Sequence, residues 1–245
     1  MQSDEIHVRV RGKCACFTRA ECRTERTSDI TASHAGWEGM LSQVQGHKPC
    51  RYVIKRVALL FEPRWFSETS NEIASFGSGR GPIDVDAKGV HTQRTTNLLA
   101  GKKRKVEGRV VAGVDYVVTF HLLCPEIKYL NMTLSRLRSG RYYGDHPFLG
   151  IRGLAARLDL IADLRDITYP TRADDDSPEV RLVEHRNGQK SIDRSERLGL
   201  CFYGTDWDDP KRPNYFAPLD MKRGIIEYPS WDEVRKLGIK REAAA

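Results

Sequence analysis

Residues 5–17 read EIHVRVRGKCACF, and along them Ile6, Val8 and Val10 fall on one face while His7, Arg9 and Arg11 fall on the other. Period two is the signature of a half-buried strand, here with a basic outer face. Downstream, Ser28-Asp29 offers an N-cap for a helix carrying Trp37, Met40, Leu41 and Val44, and Gly46 followed by Pro49 ends it. Residues 51–65, RYVIKRVALLFEPRW, are rich in β-branched and aromatic side chains and predict a second strand, broken by Pro63. Strand, helix and strand in that order predict an α+β protein.

Working outward, residues 67–105 turn Gly-, Ser- and Thr-rich (FGSGRGPIDVDAKG at 76–89) and end in GKKRK, residues 101–105. This predicts a protruding basic hairpin or loop rather than core. Residues 109–124, RVVAGVDYVVTFHLLC, return to strand alternation, and residues 131–138 predict a short helix. Residues 148–161, 198–207 and 215–228 read as three further strands, separated by a polar stretch over 174–197, so the chain closes in a small antiparallel sheet. The expected organisation is a first domain over 1–145, with the excursion at 67–105, and a second over 146–245.

Composition narrows the class. Among 245 residues, 40% are hydrophobic and 30% charged, a globular mixture, and no apolar run approaches the ~20 residues that span a bilayer. The N-terminus lacks the apolar core of a signal peptide, so a cytoplasmic location is expected. The six cysteines (Cys14, Cys16, Cys22, Cys50, Cys124, Cys201) include no Cys-x-x-Cys pair; free thiols and no metal or cofactor are expected. GSGRG at 77–81 lacks the Lys-Ser/Thr of a phosphate-binding loop. Trp207, Trp231 and Tyr228 read as core or subunit-contact aromatics. Forty Lys+Arg against 33 Asp+Glu give a formal charge of +7, which makes an extended polyanion a plausible partner. The basic residues crowd the first two thirds, whereas acids cluster at 174–176 and 206–209.

Four ordered blocks, CFTRAECRTERTS (16–28), GMLSQVQGHKPCRYVIKRVALLFEPRWFSETSNEI (39–73), SGRYYGDHPFLGIRG (139–153) and LGLCFYGTDWDDP (198–210), resemble the Cas-five family of CRISPR-associated proteins in its type I-C form. The resemblance implies a ferredoxin-like (RRM-like) N-terminal domain followed by a small C-terminal β-sheet. It implies a subunit of the Cascade surveillance complex that caps the 5′ handle of the guide RNA (crRNA), beside the large subunit and a backbone subunit, with target DNA in the assembled complex. It further implies a metal-independent endoribonuclease that cuts the repeat of the precursor transcript (pre-crRNA). The family's catalytic tyrosine aligns with Gln45 or Gly46, next to His47. Its Lys-His pair aligns with Lys128 and Tyr129, and its Thr-Pro-Ser-Ala stretch with ASHAGW at 32–37.

Metal-free RNA cleavage uses the ribose 2′-OH as nucleophile, so a protein must take that proton, steady the phosphorane and protonate the leaving 5′ oxygen. The candidates are Lys128 for phosphorane charge, His47 for proton exchange near neutral pH, and Tyr129 for donation or orientation. Taken singly, His47 reads equally as an exposed loop residue and Tyr129 as a packed aromatic. For RNA holding, Arg19, Arg23, Arg26, Lys55 and Arg56 form a candidate phosphate track. Arg138, Arg141, Tyr142, Tyr143, His146 and Arg152, set among four glycines, form a candidate handle pocket. Lys102, Lys103, Arg104 and Lys105 form a basic tip. Two rival readings stay open: a Cascade subunit that caps the guide without cutting, and a general RNA-binding protein unrelated to CRISPR.

Overall fold

The computed structural model describes residues 1–19, 26–45, 50–73, 103–143, 146–150, 154–167 and 182–241. The alternation at the N-terminus becomes strand β1 (Ile6–Ala15), with Ile6, Val8 and Val10 buried and His7, Arg9 and Arg11 half-buried on the other face. A two-residue strand β2 (Phe17–Thr18) pairs with β3 (Arg26–Asp29). Here the expected helix cap fails. The Ser28 hydroxyl accepts from the Phe17 N–H and donates to the Asp29 carbonyl, both at 2.8 Å, so it is committed to the hairpin. Helix α1 (His34–Ser42) starts five residues later on Ser33, whose side chain accepts from the Gly36 N–H.

The stretch expected as one strand is two. Strand β4 (Arg51–Leu59) ends before Pro63, and β5 (Arg64–Ile73) begins after it and pairs with the first half of the long β6 (Lys103–Leu123). Residues 64–73 and 103–112 thus form the paired base of the expected excursion, and residues 74–102 lie outside the described residues. Helix α2 (Ile127–Ser139) is longer than expected; Gly140 at φ 64° closes it in the left-handed conformation that glycine tolerates. Residues 148–161, expected in the C-terminal sheet, split into an isolated Phe148↔Ala155 bridge and strand β7 (Arg157–Ile161), which pairs antiparallel with β1. The free edge of β1 accepts β7 because α2 returns the chain there in the antiparallel sense.

A small hairpin, β8 (Leu182–Glu184) with β9 (Lys190–Ile192), precedes β10 (Glu196–Thr205) and β11 (Asn214–Lys222). Residues 215–228, expected as one strand, turn at Arg223-Gly224, with φ 47° and 73°, into β12 (Ile225–Glu227). Two successive positive φ values make the type I′ hairpin turn that suits twisted strands. Helix α3 (Trp231–Leu237), opened by a Ser230–Glu233 capping box, and β13 (Lys240–Arg241) follow. The main sheet runs β10-β11-β12-β4-β6-β1-β7, with neighbours along this path antiparallel, so β12 joins the C-terminal strands to β4.

The core lies where α1 packs on β4 and β6. Trp37 is fully buried; its indole N–H donates to Thr31 Oγ1 at 3.1 Å and to the Tyr228 hydroxyl at 3.2 Å, and that hydroxyl donates to the Ala32 carbonyl at 2.6 Å. Tyr228 and the partly buried Trp231 thus belong to the core, as expected, whereas Trp207 does not: 72% of its surface is exposed. Among the described residues no helix is long and apolar enough to cross a membrane.

Candidate nucleic-acid interface

The end of α1 and the start of α2 are locked together. Gln45 is 1% exposed; its Nε2 donates to the Tyr129 carbonyl at 3.1 Å and to Thr133 Oγ1, while Thr133 Oγ1 donates to the same carbonyl at 2.8 Å. From the next turn of α2, Arg136 Nη1 donates to the carbonyls of Val44 and Gln45, each at 3.1 Å. These bonds hold Gln45, at the end of α1, against the turn of α2 that carries Tyr129. Gln45, however, spends its amide on packing and is shut away from solvent. His47 lies outside the described residues.

Lys128 stands in the first turn of α2, 62% exposed, with Nζ 2.8 Å from Glu126 Oε2 and 5.0 Å from the Tyr129 ring centroid. The hydrogen bond that the ammonium donates to Glu126 raises its pKa, so it stays charged at neutral pH. No side chain caps the N-terminus of α2, and its first turn holds no acidic residue. The N-cap residue itself is Glu126, whose exposed carboxylate offsets the Lys128 charge at the positive end of the helix dipole, so a phosphate bound there would replace that carboxylate as the partner of Lys128. Tyr129 is half-buried against the core.

The other end of α2, about 15 Å away along its axis, carries a second cluster. A cleft of about 430 Å³ is lined by Arg138, Gly140, Tyr142, His146, Arg157 and Asp159, among others. The Tyr142 and His146 rings meet edge-on at 6.0 Å, and the Arg136 guanidinium lies 5.2 Å from the ring centroid of the exposed Tyr143. Burial alone would raise the Asp159 pKa, but hydrogen bonds from Arg11 and Arg157 outweigh it and hold the carboxyl below its usual range. Arg157 and Asp159 were missed from sequence because the cleft forms only once β7 is laid beside β1. The exposed Arg141 adjoins it, and Arg152 lies outside the described residues.

One glycine of this region serves the protein's own packing. Gly150 has φ 87°, and a Cβ there would lie 1.9 Å from the Cys16 carbonyl oxygen. The close approach read from sequence as room for RNA is, at Gly150, an approach of the chain to itself.

The expected phosphate track is not one cluster. Arg19 pairs with Asp29 at 2.7 Å, and Arg56 with Glu5 at 2.6 Å. A register shift in β4 between Ile54 and Arg56 leaves Lys55 bulged and exposed. Arg56 is opposite Thr119 of β6 and Arg26 opposite Gly108, eleven residues apart, up to about 36 Å of strand. Lys103, Arg104 and Lys105 are further along β6, opposite Ile73, Glu72 and Asn71 of β5. The side chains of Arg26 and of these three lie outside what is described, as do residues Arg23 and Lys102 altogether. The basic face of β1 is also largely spent: Arg9 and Asp115 pair at 2.7 Å with side chains 12% and 7% exposed.

Among the described residues no group of three or more His, Cys, Asp or Glu is arranged to hold a metal. Cys50 and Cys124 have their sulfurs 3.1 Å apart as free thiols, and burial pushes the Cys124 thiol up to about 12.

No protein-family model matches the chain. It is 23% identical over 245 residues to a CRISPR pre-crRNA endoribonuclease Cas5d of Mannheimia succiniciproducens, covering 96% of this chain and 100% of that protein. It is 29% identical over 151 residues to the Cas5d endoribonuclease of Thermus thermophilus, 62% of each chain. Both relatives carry the Cas-five name, which bears out the resemblance to that family drawn from the four sequence blocks, at the level of the family rather than of its type I-C form. A crystal structure of a CRISPR-associated protein superposes over 96% of both chains with a TM-score of 0.60 at 16% identity, a likeness of fold.

Proposed function

We propose that this chain is a Cas-five-type subunit that binds the repeat of a CRISPR precursor transcript, cuts it without a metal, and keeps the 5′ handle of the resulting guide within a type I-C Cascade. The observation that carries the reading is the exposed Lys128 ammonium in the first turn of α2, next in sequence to Tyr129, whose carbonyl accepts from Gln45, and Gln45 precedes His47 by two residues of sequence. Sequence similarity over 96% of the chain to a Cas5d endoribonuclease supports the same activity.

In this mechanism the scissile phosphate sits at the first turn of α2. Lys128 neutralises the equatorial oxygens of the phosphorane, displacing its bond to Glu126 in favour of a doubly charged partner. His47 exchanges the proton, and the Tyr129 hydroxyl orients the 2′-OH or the leaving oxygen. The products are a 2′,3′-cyclic phosphate and a 5′-hydroxyl. The handle then runs along α2 to the cleft of Arg138, Tyr142, His146 and Arg157, where an aromatic edge and two guanidiniums suit a splayed nucleotide. Arg19, Lys55 and Arg56, with the basic hairpin, guide the strand's outer phosphates.

The ferredoxin-like reading belongs to this proposal. Its support is the order β4-β6-β1-β7, with α1 between β1 and β4 and α2 between β6 and β7. Residues 1–145 then carry the RNA grip, β7 completes their sheet, and the rest of 146–245 extends it through β12. The large and backbone subunits of Cascade and target DNA are the partners this reading assigns, with a cytoplasmic place of work.

A second reading, a cap that does not cut, draws on one observation: Gln45, which with Gly46 is one of the two positions the resemblance aligns with the family's catalytic tyrosine, is buried and carries no phenol. Incubation of labelled repeat RNA in EDTA separates the two. A single cut that is lost with 2′-deoxy RNA and in Lys128→Ala and His47→Ala supports the nuclease. Tight binding without product supports the cap.

A further inference from the structure

Trp207 is the most exposed large apolar side chain among the described residues. The loop that carries it is rigidly built. The Asp206 carboxylate accepts from Arg235 at 2.8 and 3.0 Å and from the Asp208 N–H at 3.1 Å, and the Asp206 N–H donates to the Pro213 carbonyl at 3.0 Å. The Asp209 carboxylate accepts from the Lys211 N–H at 2.9 Å, and its carbonyl from the Arg212 N–H at 2.8 Å. Arg212 adopts φ 46°, a conformation that a residue with a Cβ disfavours, and its guanidinium comes to 5.3 Å from the Trp207 ring centroid. So an aromatic ring backed by a cation is held out to solvent by a loop that commits the Asp206 carboxylate and one Asp209 oxygen to its own folding, while Asp208, Lys211 and Arg212 are exposed.

The loop stands at the processing end of the sheet. Asp208 is 3.5 Å from Arg51, which opens β4 opposite Leu123, four residues before α2 begins. Resting on the RNA-binding role argued above, we propose that Trp207 and Arg212 form a stacking platform for one unpaired nucleobase of the bound RNA, flanking the cleavage site. Every base offers a π face, so the platform takes a base without reading its identity. The exposed sequence neighbours Asp208, Lys211 and Arg212 are charged, unlike the apolar core of a protein contact.

The test uses the full chain and a fluorescent repeat RNA, 2′-deoxy at the scissile position, with each nucleotide around the cut replaced in turn by an abasic one. The expected result is binding about tenfold weaker in Trp207→Ala and near wild type in Trp207→Phe. One abasic position should weaken wild-type binding to the same degree and add nothing to Trp207→Ala. If Trp207→Ala binds every RNA as wild type does, the platform is wrong while the RNA-binding role stands. If Trp207→Ala keeps full RNA affinity and instead loses association with the other Cascade subunits, the ring is a protein contact and the proposal is overturned. Absence of saturable binding by the wild type would reject the RNA-binding role itself, and the platform with it.

Discussion

The side-chain amide of Gln45 donates to the carbonyl of Tyr129 at 3.1 Å, across 84 residues of sequence. This bond and the pair of bonds from Arg136 hold the end of α1 against α2. Truncating Gln45 to alanine removes a buried donor and opens a cavity. The expected cost is about 1–3 kcal/mol in urea unfolding, with cleavage falling more than RNA affinity because the first turn of α2, which carries Lys128, loses a bond that holds it to the end of α1. Equal losses in both would assign Gln45 to stability alone.

Lys128 and Glu126 make a second paired prediction. The ammonium sits at an exposed point, so Lys128→Ala should lower the cleavage rate roughly 100-fold or more while weakening binding only severalfold. Glu126→Gln frees the ammonium and should tighten repeat RNA at low salt, with the gain vanishing as salt is raised. Single-turnover cleavage and salt titrations of the dissociation constant read these effects.

His34 is 1% exposed and stacked on Tyr203 at 4.5 Å, and neither ring nitrogen has a hydrogen-bond partner. Burial, with a smaller contribution from the charge of Arg51, lowers its pKa to about 4 from 6.5. The unfolded chain therefore binds a proton between those values that the folded chain refuses, and stability falls as pH drops through the window from about 6.5 toward 4. The full loss is on the order of 3 kcal/mol. His34→Phe, which keeps the aromatic stack, should flatten the denaturation midpoint between pH 7 and pH 5. A wild-type slope retained in that variant would refute the assignment.

Gly150 makes a purely structural prediction. With φ 87° and a would-be Cβ 1.9 Å from the Cys16 carbonyl oxygen, Gly150→Ala must displace the backbone where β1 gives way to β2. A loss of about 2 kcal/mol or more in stability is expected. Gly140→Ala, with nothing within 4 Å of its Cβ but φ 64°, should cost about 1 kcal/mol. Thermal denaturation of the two variants side by side gives the ranking.

What could be read from residues alone was whatever depends on near neighbours in the chain. The alternation at 6–11 gives the same buried face in the structure because a strand's side chains point to opposite faces whatever it pairs with. Resemblance across four ordered blocks likewise led to the relatives later found. The tertiary structure decided the rest, through contacts between distant residues. Ser28 was a good local cap, yet the competing bonds to Phe17 and Asp29 took its hydroxyl and moved the helix start to Ser33. Strand β7 reads like any short strand, and only the open edge of β1 determines that it completes the main sheet and brings Arg157 and Asp159 to the end of α2. Trp207 reads in the sequence as a core or subunit-contact aromatic, and only the bonds of Asp206 and Asp209, which fold its loop, put the ring in solvent and outside the core. In each case a local preference worth about a kilocalorie was outweighed by burial and hydrogen bonding that depend on which distant segments meet.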